Sequence, residues 1–393
     1  MARFSRAVIL LGFVSLFMDV ASEMLYPVGP IYLTAVLGAS MAWLGIIEGI
    51  AEAISGLSKG YFGALSDASG RRRPFVTLGY GLSALSKPLP GIFGSVGSVL
   101  ASRVVDRVGK GIRTAPRDAL LAGHSTPETR GAVFGFHRAM DTIGAAIGPC
   151  IALIYLAWHP GDYVTIYLIA IIPGILATLA TLGIREKRFT PSVKRTGLAE
   201  MFTFWREASG DYHAVVIWLT LFAAVNSSDA FLLLRARGAG FGDTGAIGAY
   251  VIYNLIFALA ALPAGRLSDR FGRRRVLVTG LVIFAAAYAL FAIAAGNIMI
   301  WAAFTLYGLF SALTDGVSKA WISDMVPNDQ RGRAIGLQTA LASIGTLVAS
   351  SWTGFVWTYT GATVPLLVTA CVALVATAGL ATSARRSGVR TGT

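Results

Sequence analysis

The chain has 393 residues, of which 55% are hydrophobic and only 13% are charged, with a formal net charge of +13. Soluble domains carry about 25% charged residues, so this composition excludes an ordinary soluble protein and indicates a membrane protein. The basic residues lie mostly in short segments between apolar runs, which explains the positive charge better than nucleic-acid binding does. The two cysteines, Cys150 and Cys371, lie inside apolar runs and indicate neither a disulfide framework nor a metal site.

Apolar runs of about 20 residues, the length needed to cross a bilayer, recur along the chain. The first run resembles a signal peptide, but no small-residue cleavage site follows and Asp19 and Glu23 interrupt it, so we expect a retained membrane helix. Helices are expected because lipid offers no partner to unpaired backbone groups. The sequence therefore predicts an all-α integral membrane protein with twelve spans, at 7–35, 41–65, 73–94, 97–118, 131–156, 162–184, 213–235, 242–266, 274–295, 298–325, 333–357 and 361–384.

The basic residues predict the orientation of these spans. If the N-terminus is cytoplasmic, the inner connections and tails hold 24 of the 33 Lys and Arg residues. We therefore expect both termini in the cytoplasm of a multi-pass cell-membrane protein, with anionic lipid headgroups as partners. The short tails and compact loops are typical of a bacterial inner-membrane protein.

One charged motif occurs twice. GALSDASGRRRP at 63–74 returns as GRLSDRFGRRRV at 265–276, 202 residues later, and the segments 129–135 and 330–336 are similar at an offset of 201. The longest polar connection, 185–212, divides the spans into six and six. The sequence predicts an N-terminal bundle (1–184), a cytoplasmic central loop (185–212) and a C-terminal bundle (213–393), pseudo-symmetric about an axis along the membrane normal. Substrate is expected between the bundles, near the membrane midplane.

Taken together, these features resemble the major facilitator superfamily, and in particular its bacterial twelve-helix drug or metabolite:proton antiporters. The repeated motif is similar to the superfamily's signature between helices 2 and 3. The resemblance implies that each aspartate meets a neighbouring helix N-terminus or an arginine, as a conformational latch that breaks during transport; a loop that only sets topology is the alternative. The matching residues are Gly63, Asp67, Gly70, Arg71, Arg72, Gly265, Asp269, Gly272, Arg273 and Arg274.

Two further motifs resemble those of proton-driven antiporters. Gly144, Gly148 and Pro149 on the fifth predicted helix match part of the glycine–proline motif, although simple helix packing explains the same residues. Arg107, three residues before Lys110, resembles the arginine of helix 4 that is implicated in proton coupling.

Several charged residues fall inside the predicted spans, where a charge costs about 2.5–3.5 kcal/mol and usually has a partner and a function. At a helical rise of about 1.5 Å per residue, four of them lie about 15–18 Å from a helix end. Acids recur four residues apart, on one helix face, and helix 4 carries a basic stripe. We predict that proton coupling involves Asp19, Glu23, Glu48, Glu52, Arg107 and Asp141, with Arg107 stabilising whichever carboxylate has lost its proton. A static ion-pair network is the alternative.

The C-terminal half carries fewer charges. Asp315 and Lys319 are four residues apart and are expected to pair, and the coupling is expected in the N-terminal half, with mainly substrate contacts in the C-terminal half. The residues predicted to line the substrate cavity are Arg103, Lys110, His137, Asn226, Tyr250, Tyr253, Asn254, Tyr307 and Gln338.

These observations favour a secondary active transporter that works by alternating access, exports a small organic solute or drug in exchange for protons, needs no cofactor or metal, and acts as a monomer. One alternative is a proton-coupled uptake symporter or a uniporter for a small organic anion, bound at the helix 4 stripe. A receptor, scaffold or enzyme on a transporter-like frame is the other, but the chain shows no phosphate loop, nucleophile elbow or metal-ligand spacing.

Overall fold

The computed structural model describes residues 4–126, 129–186, 198–327 and 330–383, and these residues form helices and connecting turns without a β-strand. We name residues 4–186 the N-terminal half and residues 198–383 the C-terminal half. The helices of the N-terminal half are α1 (Arg6–Leu25), α2 (Val28–Ile31), α3 (Met41–Ser69), α4 (Arg73–Ser86), α5 (Leu89–Phe93), α6 (Val96–Gly123), α7 (Arg130–Trp158), α8 (Tyr163–Ile169) and α9 (Ile171–Leu182). Those of the C-terminal half are α10 (Leu198–Glu207), α11 (Gly210–Ala223), α12 (Ala230–Ala236), α13 (Gly242–Phe271), α14 (Arg273–Ile293), α15 (Asn297–Asp324), α16 (Arg331–Thr360) and α17 (Thr363–Ser383). Short π-helical segments follow α2 and α12, at Tyr32–Val36 and Arg237–Phe241.

Within the described part of the chain, nine helical stretches are long and apolar enough to cross a membrane. The helix α6 has 28 residues and is long enough to cross a membrane. Seven of its residues are charged, so its mean hydropathy is too low for it to count among the nine. The helices α4 and α11, with 14 residues each, are too short by themselves. The protein is therefore a multi-pass membrane protein, and the number of twelve spans stays a prediction.

Four of the predicted spans are interrupted, which corrects the expectation of continuous helices. The first of them, 7–35, breaks at Tyr26 and Pro27. The span 73–94 breaks at Lys87 and Pro88, and the span 162–184 breaks three residues before Pro173, because proline lacks the N–H that would continue the helix. The span 213–235 breaks over 224–229, where Asn, Ser and Asp side chains compete for backbone hydrogen bonds.

Other helices are longer than predicted. The helices α3 and α13 run to Ser69 and Phe271, so that Asp67 and Asp269 lie in their last turns, at the helix ends where the sequence predicts them. The predicted central loop is also partly helical: α10 lies within it and α11 begins at Gly210, while residues 187–197 lie outside the described residues.

Small residues set the spacing of helices inside the N-terminal half. A Cβ placed on Gly144 would lie 2.5 Å from the backbone oxygen of Leu16, and one on Gly148 would lie 2.6 Å from that of Val20. These glycines of the glycine–proline motif therefore let α7 contact the backbone of α1, which is the packing explanation of the motif. Pro149 lies inside α7 without ending it.

The two halves contact each other mainly through α3 and α16. A Cβ on Gly45 would lie 2.0 Å from the carbonyl oxygen of Ser350, and one on Gly354 would lie 2.2 Å from that of Met41. Contacts of this kind extend along α3 as far as Gly56. The first half of α3 is thus held against the C-terminal half at backbone distance.

The core of the C-terminal half is aromatic. Phe284 packs against Phe222, Tyr288 and Phe310, with ring centroids 4.8, 4.2 and 4.7 Å away. The outward surface of both halves carries exposed apolar side chains, such as Leu85 at 64%, which suits a lipid environment rather than water.

Candidate functional site

A cavity lies inside the N-terminal half, among α1, α3, α6 and the α4–α5 break. Every residue that lines it falls between positions 19 and 167, so this cavity is built by the N-terminal half, and the substrate site predicted between the halves stays a prediction. Its wall combines apolar side chains with nine charged ones. The charged residues are Asp19, Glu23, Glu48, Lys87, Arg103, Asp106, Arg107, Lys110 and Arg113.

Two ion pairs join α3 to α6 on one side of the cavity. Arg103 donates to Glu48 at 2.5 Å, and Arg107 lies 3.4 Å from Glu52. Both acids and both arginines are four residues apart on their helices, so the pairs form successive rungs. The structure brings together the predicted acids and the predicted basic stripe. Of the acids predicted to be stabilised by Arg107, it pairs Glu52 with this arginine, and the role of Arg107 in proton coupling stays a prediction.

A third ion pair went unrecognised in the sequence. Lys87, only 3% exposed at its side chain, lies 3.2 Å from Asp106 and donates to Ser22 at 3.0 Å. The break before Pro88 turns this lysine inward between α4 and α5. A lysine next to a proline within an apolar run was the signal that would have found it.

Arg113 is also held by its surroundings. It donates to Ser83, and its guanidinium lies over the ring of Tyr80, 4.5 Å from the centroid. A hydrogen bond and a cation–π contact thus fix a third arginine of the α6 stripe.

Asp19 and Lys110 differ from the other charged residues of the wall. Neither side chain has a hydrogen bond or an ion pair among the described residues, although both line the cavity. The helix α7 passes close by, because a Cβ on Gly144 would lie 3.0 Å from the Cβ of Asp19. One turn earlier on α7, His137 lies 3.5 Å from Asp141 as their spacing predicts.

Side chains of the C-terminal half reach the acids of the N-terminal half. Tyr250 donates to Glu23 at 3.0 Å and stacks on Tyr26 with centroids 5.4 Å apart. Ser228, in the break between α11 and α12, donates to Glu48 at 3.2 Å. Two acids of the cavity wall are therefore bound to the opposite half, a relation that no sequence spacing could show.

The other predicted substrate contacts of the C-terminal half lie away from this cavity. Tyr307 donates to Asp229 at 2.6 Å, and the ring of Tyr253 packs 5.1 Å from that of Tyr307. Asn254 donates to the backbone oxygen of Tyr250 within α13. Asn226 and Gln338, on the α11–α12 connection and on α16, likewise do not line the cavity.

The two copies of the signature motif form similar ion pairs. In the first copy Arg72 lies 3.1 Å from Asp67, and in the second Arg273 lies 2.5 Å from Asp269. Arg273 also lies 3.3 Å from Asp324 at the end of α15. Each aspartate thus meets an arginine, as the resemblance implies, and the arginine belongs to its own motif.

The glycines of the motifs have distinct positions. Gly70 and Gly272 adopt φ angles of 65° and 93°, which favour glycine at a helix C-terminus. A Cβ on Gly63 would lie 3.0 Å from that of Ala115, whereas nothing lies within 4 Å of one on Gly265. Arg71 and Arg274 adjoin these turns.

A neighbouring helix N-terminus does bind a carboxylate, but that carboxylate is Glu186. Its two oxygens accept hydrogen bonds from the backbone N–H groups of Arg72 and Arg73, at 2.7 and 2.8 Å. Glu186 follows α9 and thereby ties the last span of the N-terminal half to the start of α4.

A polar contact also joins the halves at the other end of the bundle. Tyr163, at the start of α8, donates to Asp243, which pairs with Arg237 at 2.6 Å. Beside it, hydrogen bonds from Tyr155 and from Thr165 hold the pKa of Asp162 below its usual value. Among the described residues, no group of three or more His, Cys, Asp or Glu side chains is placed to hold a metal ion.

An all-helical membrane protein with a charged internal cavity and paired signature motifs belongs to the class of polytopic transporters. The model of the Major Facilitator Superfamily matches residues 11–250 and 230–390. An uncharacterized MFS-type transporter of Methanocaldococcus jannaschii is 34% identical over 360 residues, covering 90% of this chain and 89% of the relative. The protein therefore belongs to the Major Facilitator Superfamily and is a transporter rather than an enzyme.

Further comparisons show the same fold. The nucleoside transporter NupG matches with a TM-score of 0.79 and 14% identity, covering 96% of this chain and 98% of that one. A bacterial homolog of the human lysosomal transporter Spinster, in an inward-facing and occupied conformation, matches with a TM-score of 0.76, 15% identity and 96% coverage of both chains. The vesicular acetylcholine transporter of Homo sapiens is 35% identical over 143 residues, which are 36% of this chain and 27% of the relative.

Proposed function

We propose that the protein is a secondary active transporter that exports a small organic solute in exchange for protons. The observation that carries this proposal is Asp19, the cavity acid without a hydrogen bond or ion pair among the described residues. The other acids of the wall, Glu23, Glu48 and Asp106, each have a partner. An acid without a fixed partner can exchange a proton with the cavity while the ion pairs of the fold stay intact.

The charges around Asp19 support a proton carrier that competes with solute. Glu23 and Asp141 are its negative neighbours, and Lys110 and Arg113 are its positive ones. A proton on Asp19 relieves the repulsion among the three carboxylates, and so does a cationic group of a solute. Proton and solute therefore occupy the same place in turn, which is the requirement for antiport.

The remaining acids belong to the proposed coupling network through their links to the C-terminal half. Tyr250 holds Glu23, and Ser228 holds Glu48. When the halves rock against each other these hydrogen bonds change, so the charge state of the cavity is linked to the conformation. The pair of Glu52 with Arg107 is the next rung of the same ladder.

We place both termini and the signature motifs on the cytoplasmic side, with twelve spans in two pseudo-symmetric six-helix halves and a monomer as the working unit. The positive-inside bias supports this orientation. The halves touch where Met41 contacts Gly354, whereas Asp67 and Asp269 at the opposite end are 47% and 63% exposed. This arrangement fits a conformation that is closed outside and open to the cytoplasm, with the signature ion pairs as latches.

The relatives support a small organic solute. NupG is named for nucleosides and the vesicular transporter for acetylcholine. Both names describe small, polar organic molecules, of a kind suited to a cavity that combines charged and apolar walls.

Proton movement in liposomes tests the proposal. The purified protein is reconstituted with a pH-sensitive dye inside, and a panel of amino acids, organic cations, organic anions and nucleosides is added outside. For an antiporter, a solute that enters down its gradient drives protons out and makes the interior alkaline. Acidification instead identifies the symport alternative, and solute entry without a proton signal identifies a uniporter; either outcome rejects the proposed exchange.

Asp19→Asn should abolish the proton signal while solute–solute exchange continues at raised solute concentration, because the carrier acid is lost but the rest of the cavity is not. Asp315→Asn is the matched control, since Asp315 pairs with Lys319 on the exposed face of α15 and is 50% exposed. Equal loss of the proton signal in both variants would remove Asp19 from its proposed role.

A further inference from the structure

The partners of the nine charged side chains that line the cavity divide them into two groups. Seven have a hydrogen bond or an ion pair to a described residue: those of Glu23, Glu48, Lys87, Arg103, Asp106, Arg107 and Arg113. The remaining two are Asp19 and Lys110. They carry opposite charges and lie on different helices, α1 and α6, so that one acidic and one basic position of the wall are left without a contact.

These two side chains do not neutralise each other. They interact electrostatically across the cavity, yet they lie farther apart than an ion pair allows. Asp19 is repelled by Asp141 and Glu23 and attracted by Lys110 and Arg113, and the strongest influence on Lys110 is repulsion from Arg107. Neither side chain has a counter-charge in direct contact, so each gains from one placed in the cavity.

Packing holds the basic position in place. The helices α3 and α6 cross so closely beside Lys110 that a Cβ on Gly111 would lie 1.8 Å from the hydroxyl oxygen of Ser58. The crossing places Lys59 next to Lys110, and Lys59 too has no ion pair among the described residues. The basic side of the cavity thus carries more positive charge than the nearby Glu52 balances.

From this arrangement we infer that the transported solute is a small zwitterion, with an ammonium group that binds Asp19 and a carboxylate that binds Lys110. The inference rests on the proposed function for the statement that the cavity ligand is the transported solute. A solute that is only a cation leaves Lys110 without a counter-charge, and a solute that is only an anion leaves Asp19 without one. Uncompensated charge away from water is costly, and a zwitterion of suitable length compensates both ends at once.

The rest of the wall fits the body of such a molecule. Leu33, Leu44, Ile47 and Val99 line the same cavity and offer apolar contacts to a side chain. The ring of Tyr26 adds an aromatic surface to the wall. The solute expected from these contacts is of the size and kind of an amino acid with an apolar side chain.

Matched ligands test the inference by thermal stability of the detergent-purified protein, with no proton gradient present. The probes are amino acids with apolar side chains, each compared with its carboxamide, which is a cation, and its N-acetyl derivative, which is an anion. We expect at least one amino acid to raise the melting temperature more than either derivative does. If no amino acid raises the melting temperature more than both of its derivatives do, the inference is wrong. This holds whether a derivative binds better or no ligand binds.

Two variants separate the ends of the ligand. Lys110→Gln should weaken binding of the amino acid by about tenfold or more and leave binding of the carboxamide unchanged, because a charge-assisted contact to the carboxylate is lost. Asp19→Asn should also weaken binding of the amino acid, because the contact to its ammonium group is lost, but should leave binding of the N-acetyl derivative unchanged. Lys319→Gln and Asp315→Asn are matched controls, since this exposed pair lies on α15, outside the cavity.

The melting temperature of each variant without ligand checks that it folds. A variant that loses all three ligands equally would contradict the assignment of separate ends. This assay and the proton assay can fail separately. If a zwitterion binds but moves no protons, the inferred substrate class stands and the proposed proton exchange is wrong. If protons move only with a cation or only with an anion, the proposed proton coupling stands and the inferred substrate class is wrong.

Discussion

The two halves of the protein carry similar signature motifs but differ in their interiors. The N-terminal half holds four ion pairs around a cavity, with Lys87 and Asp106 the most deeply buried pair. The C-terminal half is filled by packed rings around Phe284, and its partly buried acid Asp229 is bound by a tyrosine rather than by a cation. The halves therefore differ in chemistry: the N-terminal half carries the charges of the cavity, and the C-terminal half contributes the hydroxyl groups of Tyr250 and Ser228 that contact two of them.

The largest effect that tests this difference is expected at Lys87. Lys87→Met leaves the buried Asp106 carboxylate without its 3.2 Å partner, and the remaining ion pair of this carboxylate, to Arg107, is 4.0 Å long. Removing one partner of a buried ion pair costs about 3–5 kcal/mol, which a denaturant titration in detergent measures as a lower free energy of unfolding.

The matched change in the C-terminal half is Lys319→Gln. Its pair with Asp315 is about half exposed at both side chains, so the expected cost is about 0–1 kcal/mol. In the N-terminal half, adding Asp106→Asn to Lys87→Met should restore part of the stability, because the uncompensated charge is gone. Similar losses for Lys87→Met and Lys319→Gln would show that the interiors of the halves do not differ as described.

A smaller effect is expected from the partly buried acid of the C-terminal half, Asp229. Tyr307→Phe removes the hydroxyl that donates to Asp229 and should lower the free energy of unfolding by about 1–3 kcal/mol, the cost of a buried polar group that loses its partner. Tyr359→Phe is the control, since Tyr359 is 74% exposed. Equal stability of the two variants would mean that Asp229 does not depend on the tyrosine.

The smallest effect on stability is expected from replacing the first glycine of each signature motif, Gly63 or Gly265, by alanine. Gly265→Ala should stabilise the protein by about 0.5–1 kcal/mol, because alanine favours a helix and the added methyl group meets open space. At Gly63 the methyl group would lie 3.0 Å from Ala115, so crowding should offset that gain. Melting temperatures of the two variants measure the difference, and an equal response would show that the motifs are packed alike.

The sequence predicted the class of fold well, because the positions of apolar and basic residues depend on the membrane alone. It also predicted which acids share a helix face, but not that Glu48 pairs with Arg103 and Glu52 with Arg107. It did not predict Lys87 as a member of the site, since that depends on how the chain turns at Pro88. Nor did it predict that Glu186 accepts a hydrogen bond from the backbone N–H of Arg72 at the start of α4, because these residues are more than a hundred positions apart.

The sequence by itself determined that this is a polytopic helical protein with duplicated motifs and an acid-rich N-terminal half, because hydropathy, charge bias and helical periodicity are local properties. Only the tertiary structure decided that the cavity lies within one half, that Arg107 is occupied by Glu52, and that Asp19 and Lys110 are left without partners. The reason is that pairing depends on distances between helices, and those distances are set by small residues such as Gly111 and Gly144, whose contacts lie far away along the chain.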